Sequence, residues 1–198
     1  MTIPHATEKL LQDTILSELE RGRRNYDKPH TISVVTKVRD LIKNNPDLKL
    51  DEAVLVIVAY AHDWGYADLF KEGEVDFDAV LEVKQEHMRL SSQKIESLLI
   101  SSVFNFLTVL QKKRIVKIVS KHDNLDLLHE IDELIFMEAD TLGALDLKYV
   151  TPTFDKASNE RYINGPLQER IKKFITSYGK TEVQKLINER RDYYERLK

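Results

Sequence analysis

The stretch Leu55-Val56-Ile57-Val58-Ala59-Tyr60-Ala61-His62-Asp63-Trp64-Gly65 is the most apolar segment of the chain, yet it contains an adjacent histidine and aspartate. Its composition predicts a buried helix from about Leu50 to Asp63. His62 and Asp63 each follow apolar residues by one helical turn, so their side chains are expected to point inward. An ionised carboxylate that is buried without a partner costs several kcal/mol. The stretch therefore predicts a bound cation or a dense hydrogen-bond network at its end.

Composition favours one globular domain without thiol or membrane chemistry. The 198 residues are 42% hydrophobic, which is sufficient for one sizeable core. The 30 basic and 33 acidic residues are interspersed, so no basic face indicates binding to nucleic acid. The chain has no cysteine, no apolar run of membrane-spanning length and no signal-peptide pattern. We therefore expect a cytoplasmic protein without a membrane partner, in which nitrogen and oxygen atoms would hold any metal.

Hydrophobic periodicity predicts helices along most of the chain and no strand. The expected fold is therefore an all-α, single-domain helical bundle that spans residues 1–198. The predicted helices cover approximately residues 7–21, 30–43, 50–63, 77–99, 105–122, 127–147, 167–178 and 181–197. Residues 148–166 show no helical period, and a loop of this length inside a compact domain is often functional, for example as a lid.

Further titratable residues border apolar helix faces or lie at predicted helix ends: His30, His87, His122 and Asp140. A single histidine in such a place is more often a hydrogen-bonded core residue than a ligand. His-Asp pairs also arise by chance, and His122-Asp123 is a second such pair in this chain. The joint occurrence of all these residues nevertheless favours a metal site. His5 and His129 occupy no comparable position.

The order of these residues resembles the HD-domain superfamily of metal-dependent phosphohydrolases, over roughly residues 29–147. The motifs that carry the resemblance are His30, His62-Asp63, Glu86-His87, Lys121-His122 and Ala139-Asp140. The resemblance implies that His30, His62, Asp63 and Asp140 ligate one divalent ion. It further implies that Asp63, His87 and His122 hold a second ion and form the catalytic set, with Asp63 as the bridge. Tyr66 stands where many relatives have a lysine that handles phosphate.

The predicted ligands define the expected chemistry. Imidazoles and carboxylates suit Mn(II) or Fe(II), or alternatively Co(II), Ni(II) or Zn(II), better than Mg(II). Such an ion lowers the pKa of a bound water from about 15.7 toward roughly 7 and withdraws charge from a phosphoryl oxygen. With one or two ions, we expect hydrolysis of a small phosphorylated substrate, above all a nucleotide. Candidate phosphate contacts are Arg24, Lys28, Lys84, Lys121 and Lys148.

Two other functions fit the same residues. Some HD-fold proteins use a similar set of four imidazoles and carboxylates to hold a diiron centre that cleaves C–C or C–P bonds with O₂, and His87 and His122 would be needed there as well. A regulatory module that binds a nucleotide without cleaving it is the third alternative, although the complete ligand set argues against it. The sequence leaves the substrate open and is compatible with a homo-oligomer.

Overall fold

The computed structural model describes residues 1–23, 25–70 and 77–197. Within these residues all regular structure is helical and no strand is present, which confirms the predicted all-α class. None of their helices combines the length and the apolar character that a membrane crossing requires. The helices are α1 (His5–Leu11), α2 (Ser17–Leu19), α3 (Asp27–Asn44), α4 (Glu52–Ala61), α5 (Tyr66–Leu69), α6 (Phe77–Glu82), α7 (Lys84–Leu98), α8 (Val109–Val119), α9 (Ile131–Leu145), α10 (Lys156–Asn164), α11 (Pro166–Lys172) and α12 (Ser177–Arg196).

Helix α4 lies at the centre of the bundle. Every residue from Ala53 to Ala61 is buried, so the helix has no polar face and is stable only when other helices surround it. Helices α3, α8 and α9 pack around it. The Asp51 carboxylate caps its beginning by accepting hydrogen bonds from the backbone N–H groups of Ala53 and Val54. The C-terminal end of α4 consequently brings His62 and Asp63 into the interior.

Helices α3 and α9 approach each other closely at Gly143. A Cβ atom at this position would lie 2.7 Å from Cγ2 and 3.0 Å from the backbone nitrogen of Val34. This close approach places His30 of α3 beside Asp140 of α9, with 3.1 Å between His30 Nε2 and Asp140 Oδ1.

The C-terminal helices are attached to α9. The Glu138 carboxylate accepts hydrogen bonds from the backbone N–H groups of Ile175 and Thr176, which immediately precede α12. Arg190 of α12 donates to the carbonyl oxygen of Ala144 at 2.9 Å. The helix that carries Asp140 therefore also anchors the end of the chain.

The structure corrects several predicted boundaries; for example, α11 ends at Lys172 and not near residue 178, and α12 begins at Ser177 and not near residue 181. Helix α3 begins at Asp27, so His30 lies in its first turn, where Pro29 is tolerated because a proline there sacrifices no helical hydrogen bond. The helix predicted for residues 77–99 consists of α6 and α7, which are interrupted at Val83. The segment 148–166, predicted as a loop, contains α10, whose start is fixed by a hydrogen bond from the backbone N–H of Ser158 to the Asp155 carboxylate.

We predict that Gly143→Ala destabilises the protein. In a helix, alanine normally stabilises the folded state by about 1 kcal/mol relative to glycine. Here its methyl group would force α9 away from the backbone of Val34, and overpacking of this kind costs about 1–3 kcal/mol. Urea denaturation measures the change in the free energy of unfolding. A stabilised variant would show that α3 and α9 do not approach this closely.

Candidate metal centre

The first of two buried His/Asp groups consists of His30, His62 and Asp140, contributed by α3, by the residue that follows α4 and by α9. His62 Nε2 lies 3.2 Å from His30 Nε2 and 3.6 Å from Asp140 Oδ1. Donor atoms that bind one ion at about 2.1 Å are about 3.0–3.4 Å apart in octahedral or tetrahedral geometry. The spacing of this group is therefore close to that of a single metal site.

The second group consists of Asp63, His87 and His122, contributed by the end of the α4 segment, by α7 and by the turn after α8. His87 Nε2 and His122 Nε2 are 3.3 Å apart. The structure thus brings together all six residues that the sequence predicted as metal ligands, although their binding of metal stays a prediction.

Asp63 connects the two groups. Its Oδ1 lies 3.5 Å from His87 Nε2 and 3.6 Å from His122 Nε2. Its Oδ2 lies 3.5 Å from His62 Nε2 and 3.7 Å from His30 Nε2. One carboxylate therefore presents a different oxygen to each group, which is the arrangement of a bridging ligand.

Backbone carbonyls orient two of the imidazoles. His62 Nδ1 lies 2.9 Å from the carbonyl oxygen of Ala59, and His122 Nδ1 lies 2.9 Å from that of Val119. A carbonyl oxygen only accepts hydrogen bonds, so both Nδ1 atoms carry the proton. In the neutral imidazoles Nε2 then offers a lone pair toward the centre, as a metal ligand requires.

Tyrosine rings orient the other two imidazoles. Among the described residues no hydrogen-bond partner is present for His30 Nδ1 or His87 Nδ1. The Tyr66 ring stacks on His87 with 4.2 Å between centroids and an interplanar angle of 11°, and Tyr26 stacks on His30 at 5.3 Å and 24°. Tyr66 therefore fixes the ring plane of a predicted ligand.

Arg23 lies between these two tyrosines. Its guanidinium carbon is 4.6 Å from the centroid of the Tyr26 ring and 4.0 Å from that of Tyr66. Its Nε donates to the buried Asp27 carboxylate at 2.6 Å, and its Nη2 donates to Asp63 Oδ2 at 3.2 Å. The guanidinium therefore offsets part of the negative charge on the bridging carboxylate.

Protonation states at neutral pH mostly suit metal binding. Burial lowers the pKa of His87 to about 4, so this imidazole is neutral. Burial opposes ionisation of Asp63, but the facing imidazoles and Arg23 outweigh it and hold the pKa of this carboxyl well below its usual range. In His122 burial is outweighed by the hydrogen bond with Asp63 and by nearby carboxylates, which raise its pKa. A metal ion at the second group would compete with protons for Nε2 of His122.

Sequence reasoning missed Arg170 of α11. Its Nη2 donates to Asp140 Oδ2 at 2.5 Å, and its Nη1 donates to Asp123 Oδ1 at 2.7 Å. Nothing in the Glu- and Arg-rich C-terminal sequence distinguishes this arginine from its exposed neighbours. Asp123 was visible only as part of a second His-Asp pair.

A cavity of about 370 Å³ adjoins both groups. Asp63 and Asp140 line it together with basic and aromatic side chains, so an anionic ligand with an apolar part would find complementary chemistry there. The basic residues are Arg23, Lys84, Arg170 and Arg190, and the aromatic ones include Phe77, Phe154 and Tyr162. Phe154 and Tyr162 belong to the segment 148–166, which therefore contributes to the cavity wall.

Among the described candidates for phosphate binding, Lys84 lines this cavity, whereas Lys28, Lys121 and Lys148 do not. Lys121 Nζ forms an ion pair with the buried Glu133 carboxylate, at 2.8 Å from one of its oxygens. Arg24 lies outside the described residues.

We predict that Gly65→Ala impairs the second group selectively. A Cβ atom at Gly65 would lie 2.3 Å from the backbone oxygen of His87, so α7 must shift and carry His87 away from Asp63. Affinity for a second ion should fall at least about tenfold, while the first group keeps its spacing. Calorimetric Mn(II) titration measures both affinities, and Ser97→Ala, which changes an exposed residue near the other end of α7, is the control. Unchanged binding of two ions would contradict the predicted contact.

Comparison with known proteins identifies no relative. No protein-family model matches the chain, and neither does a curated protein sequence or a solved structure. The resemblance to the HD-domain superfamily stays a prediction based on residue order, and the function must be inferred from the site itself.

Proposed function

We propose that this protein is a metal-dependent phosphohydrolase of the HD type, which cleaves a phosphoester or phosphoanhydride bond in a nucleotide or another small phosphorylated substrate. The observation that carries the proposal is the position of Asp63 between two buried His/Asp groups, with one carboxylate oxygen facing each. Four imidazoles and two carboxylates form a donor set that suits Mn(II) or Fe(II).

The donor atoms are held before any ion binds. Divalent ions in these groups would supply an activated water and withdraw charge from a phosphoryl oxygen. The carbonyls of Ala59 and Val119 keep Nε2 of His62 and His122 directed at the centre. Arg170 donates a hydrogen bond to Oδ2 of Asp140, so that Oδ1 faces His30. Such preorganisation reduces the rearrangement that ion and substrate binding would require.

The basic residues that line the cavity favour the binding of an anionic substrate. Arg23 and Arg170 already pair with carboxylates, so they contribute less attraction than free cations would. Lys84 also lines the cavity, and no carboxylate among the described residues forms an ion pair with it. We assign Lys84 as the first candidate for binding a substrate phosphate.

We expect the protein, loaded with Mn(II) under anaerobic conditions, to release phosphate or pyrophosphate from members of a panel of nucleotides and phosphomonoesters. Asp63→Asn should lower turnover by more than about a hundredfold, because both groups lose an ionised oxygen. Elemental analysis of the same samples should show a reduced metal-to-protein ratio in Asp63→Asn. Asp126→Asn, which changes an exposed aspartate outside both groups, is the matched control.

Two outcomes would contradict the hydrolase. Activity that requires O₂ would favour the diiron oxygenase, which uses the same donor set. Nucleotide binding without turnover of the whole panel, with Asp63→Asn retaining that binding, would favour the regulatory module.

Lys84→Ala should raise KM for the best substrate about tenfold and change kcat less, because a charge-assisted hydrogen bond contributes about 1.5–3 kcal/mol. Steady-state kinetics measure both constants. Lys148→Ala, which removes a lysine that does not line the cavity, should leave KM unchanged. Equal effects of the two substitutions would refute the role of Lys84.

A further inference from the structure

Asp123 lies beside the second group, outside its three members. Its Oδ2 is 3.9 Å from His87 Nε2, and its backbone directly follows His122. The side chain is 20% exposed and lines the same cavity as Asp63. Asp123 is thus a carboxylate at the open side of a group that otherwise has three members.

Arg170 holds Asp123 and Asp140 in the same manner. Its Nη1 binds Oδ1 of Asp123 at 2.7 Å, and its Nη2 binds Oδ2 of Asp140 at 2.5 Å. A third hydrogen bond, from Nε to the Thr141 hydroxyl at 2.7 Å, fixes the plane of the guanidinium. Each carboxylate therefore has one oxygen bound by Arg170.

The remaining oxygens face the two groups. Oδ1 of Asp140 is 3.1 Å from His30 Nε2, and Oδ2 of Asp123 is 3.9 Å from His87 Nε2. With Asp63 counted in both groups, the first contains two imidazoles, the shared carboxylate and Asp140. The second group also has two imidazoles and two carboxylates only when Asp123 is included.

Charge balance also favours this role. The carboxylates of Asp27, Asp63, Asp123 and Asp140 lie close to the guanidiniums of Arg23 and Arg170. Two divalent ions would give this region an excess of positive charge, which Asp123 offsets most effectively when its carboxylate directly faces one of them. An anionic ligand on the second ion reduces that excess in a buried site, where unbalanced charge is costly.

We propose that Asp123 is the fourth protein ligand of a second metal ion, and that Arg170 is the positioning residue that holds the terminal carboxylates of both metal sites. The proposal rests on the two-ion form of the proposed function but concerns metal binding alone. It is therefore tested without substrate.

The test is a titration of metal-free protein with Co(II), followed by calorimetry and by visible absorption. Asp123→Asn should retain the first ion and bind the second about 10–100-fold more weakly. The absorption bands of the second equivalent should change, because they report the ligands of Co(II) and not only the fold. Glu169→Gln is the control, since Glu169 also lines the cavity but pairs with Lys172.

Arg170→Lys separates positioning from ligation. A lysine has no planar fork and cannot hold both carboxylates, so binding of both ions should weaken while circular dichroism still shows a helical protein. If Asp123→Asn does not fold, Asp123→Glu gives the same information, because a longer ligand should alter the Co(II) spectrum of the second equivalent.

The outcomes distinguish the two proposals. Wild-type protein that binds two Co(II) ions but hydrolyses no phosphorylated compound would refute the hydrolase and leave the role of Asp123 open to the same titration. An unchanged second affinity and spectrum in Asp123→Asn, or wild-type binding of one ion only, would overturn the role of Asp123.

Discussion

The burial of the Asp63 carboxylate is the constraint on which the rest of the centre depends. An unpaired carboxylate in this position would cost several kcal/mol, comparable to the net stability of a whole domain. Four imidazoles surround its two oxygens, and Arg23 donates to one of them. Each surrounding residue comes from a different helix or turn, so satisfying this one charge fixes the arrangement of α3, α4, α7 and α8.

Two layers of contacts surround the predicted ligands. Carbonyl oxygens orient His62 and His122, whereas Tyr26 and Tyr66 orient His30 and His87 by stacking. Arg23 and Arg170 then hold the carboxylates from opposite ends of the sequence. The geometry of the potential donor atoms is thus largely determined by the protein, which is compatible with a metal site.

The sequence predicted what depends on local pattern. The apolar run before His62 predicted α4, whereas the prediction of which side chains would meet came from the family resemblance. Contacts outside the residues that carry the resemblance were not predictable; Arg170, for example, is 47 residues from Asp123 and no periodicity relates them. Helix α10 was not predicted, because the Asp155 cap and not an apolar stripe defines its start. The cavity and the role of Tyr66 likewise depend on packing among several helices.

Helix α9 has two tasks within one turn. Glu138 accepts a hydrogen bond from the backbone of Thr176 at the N-cap of α12. Asp140 faces His30 in the candidate metal centre and accepts a hydrogen bond from Arg170 of α11. Any ion that orders Asp140 also orders the partner of Arg170, so occupancy of the centre and attachment of the C-terminal helices are thermodynamically linked. Linkage is reciprocal. Tight docking of the end of the chain would strengthen ion binding, and a bound ion would in turn protect the end of the chain from fraying.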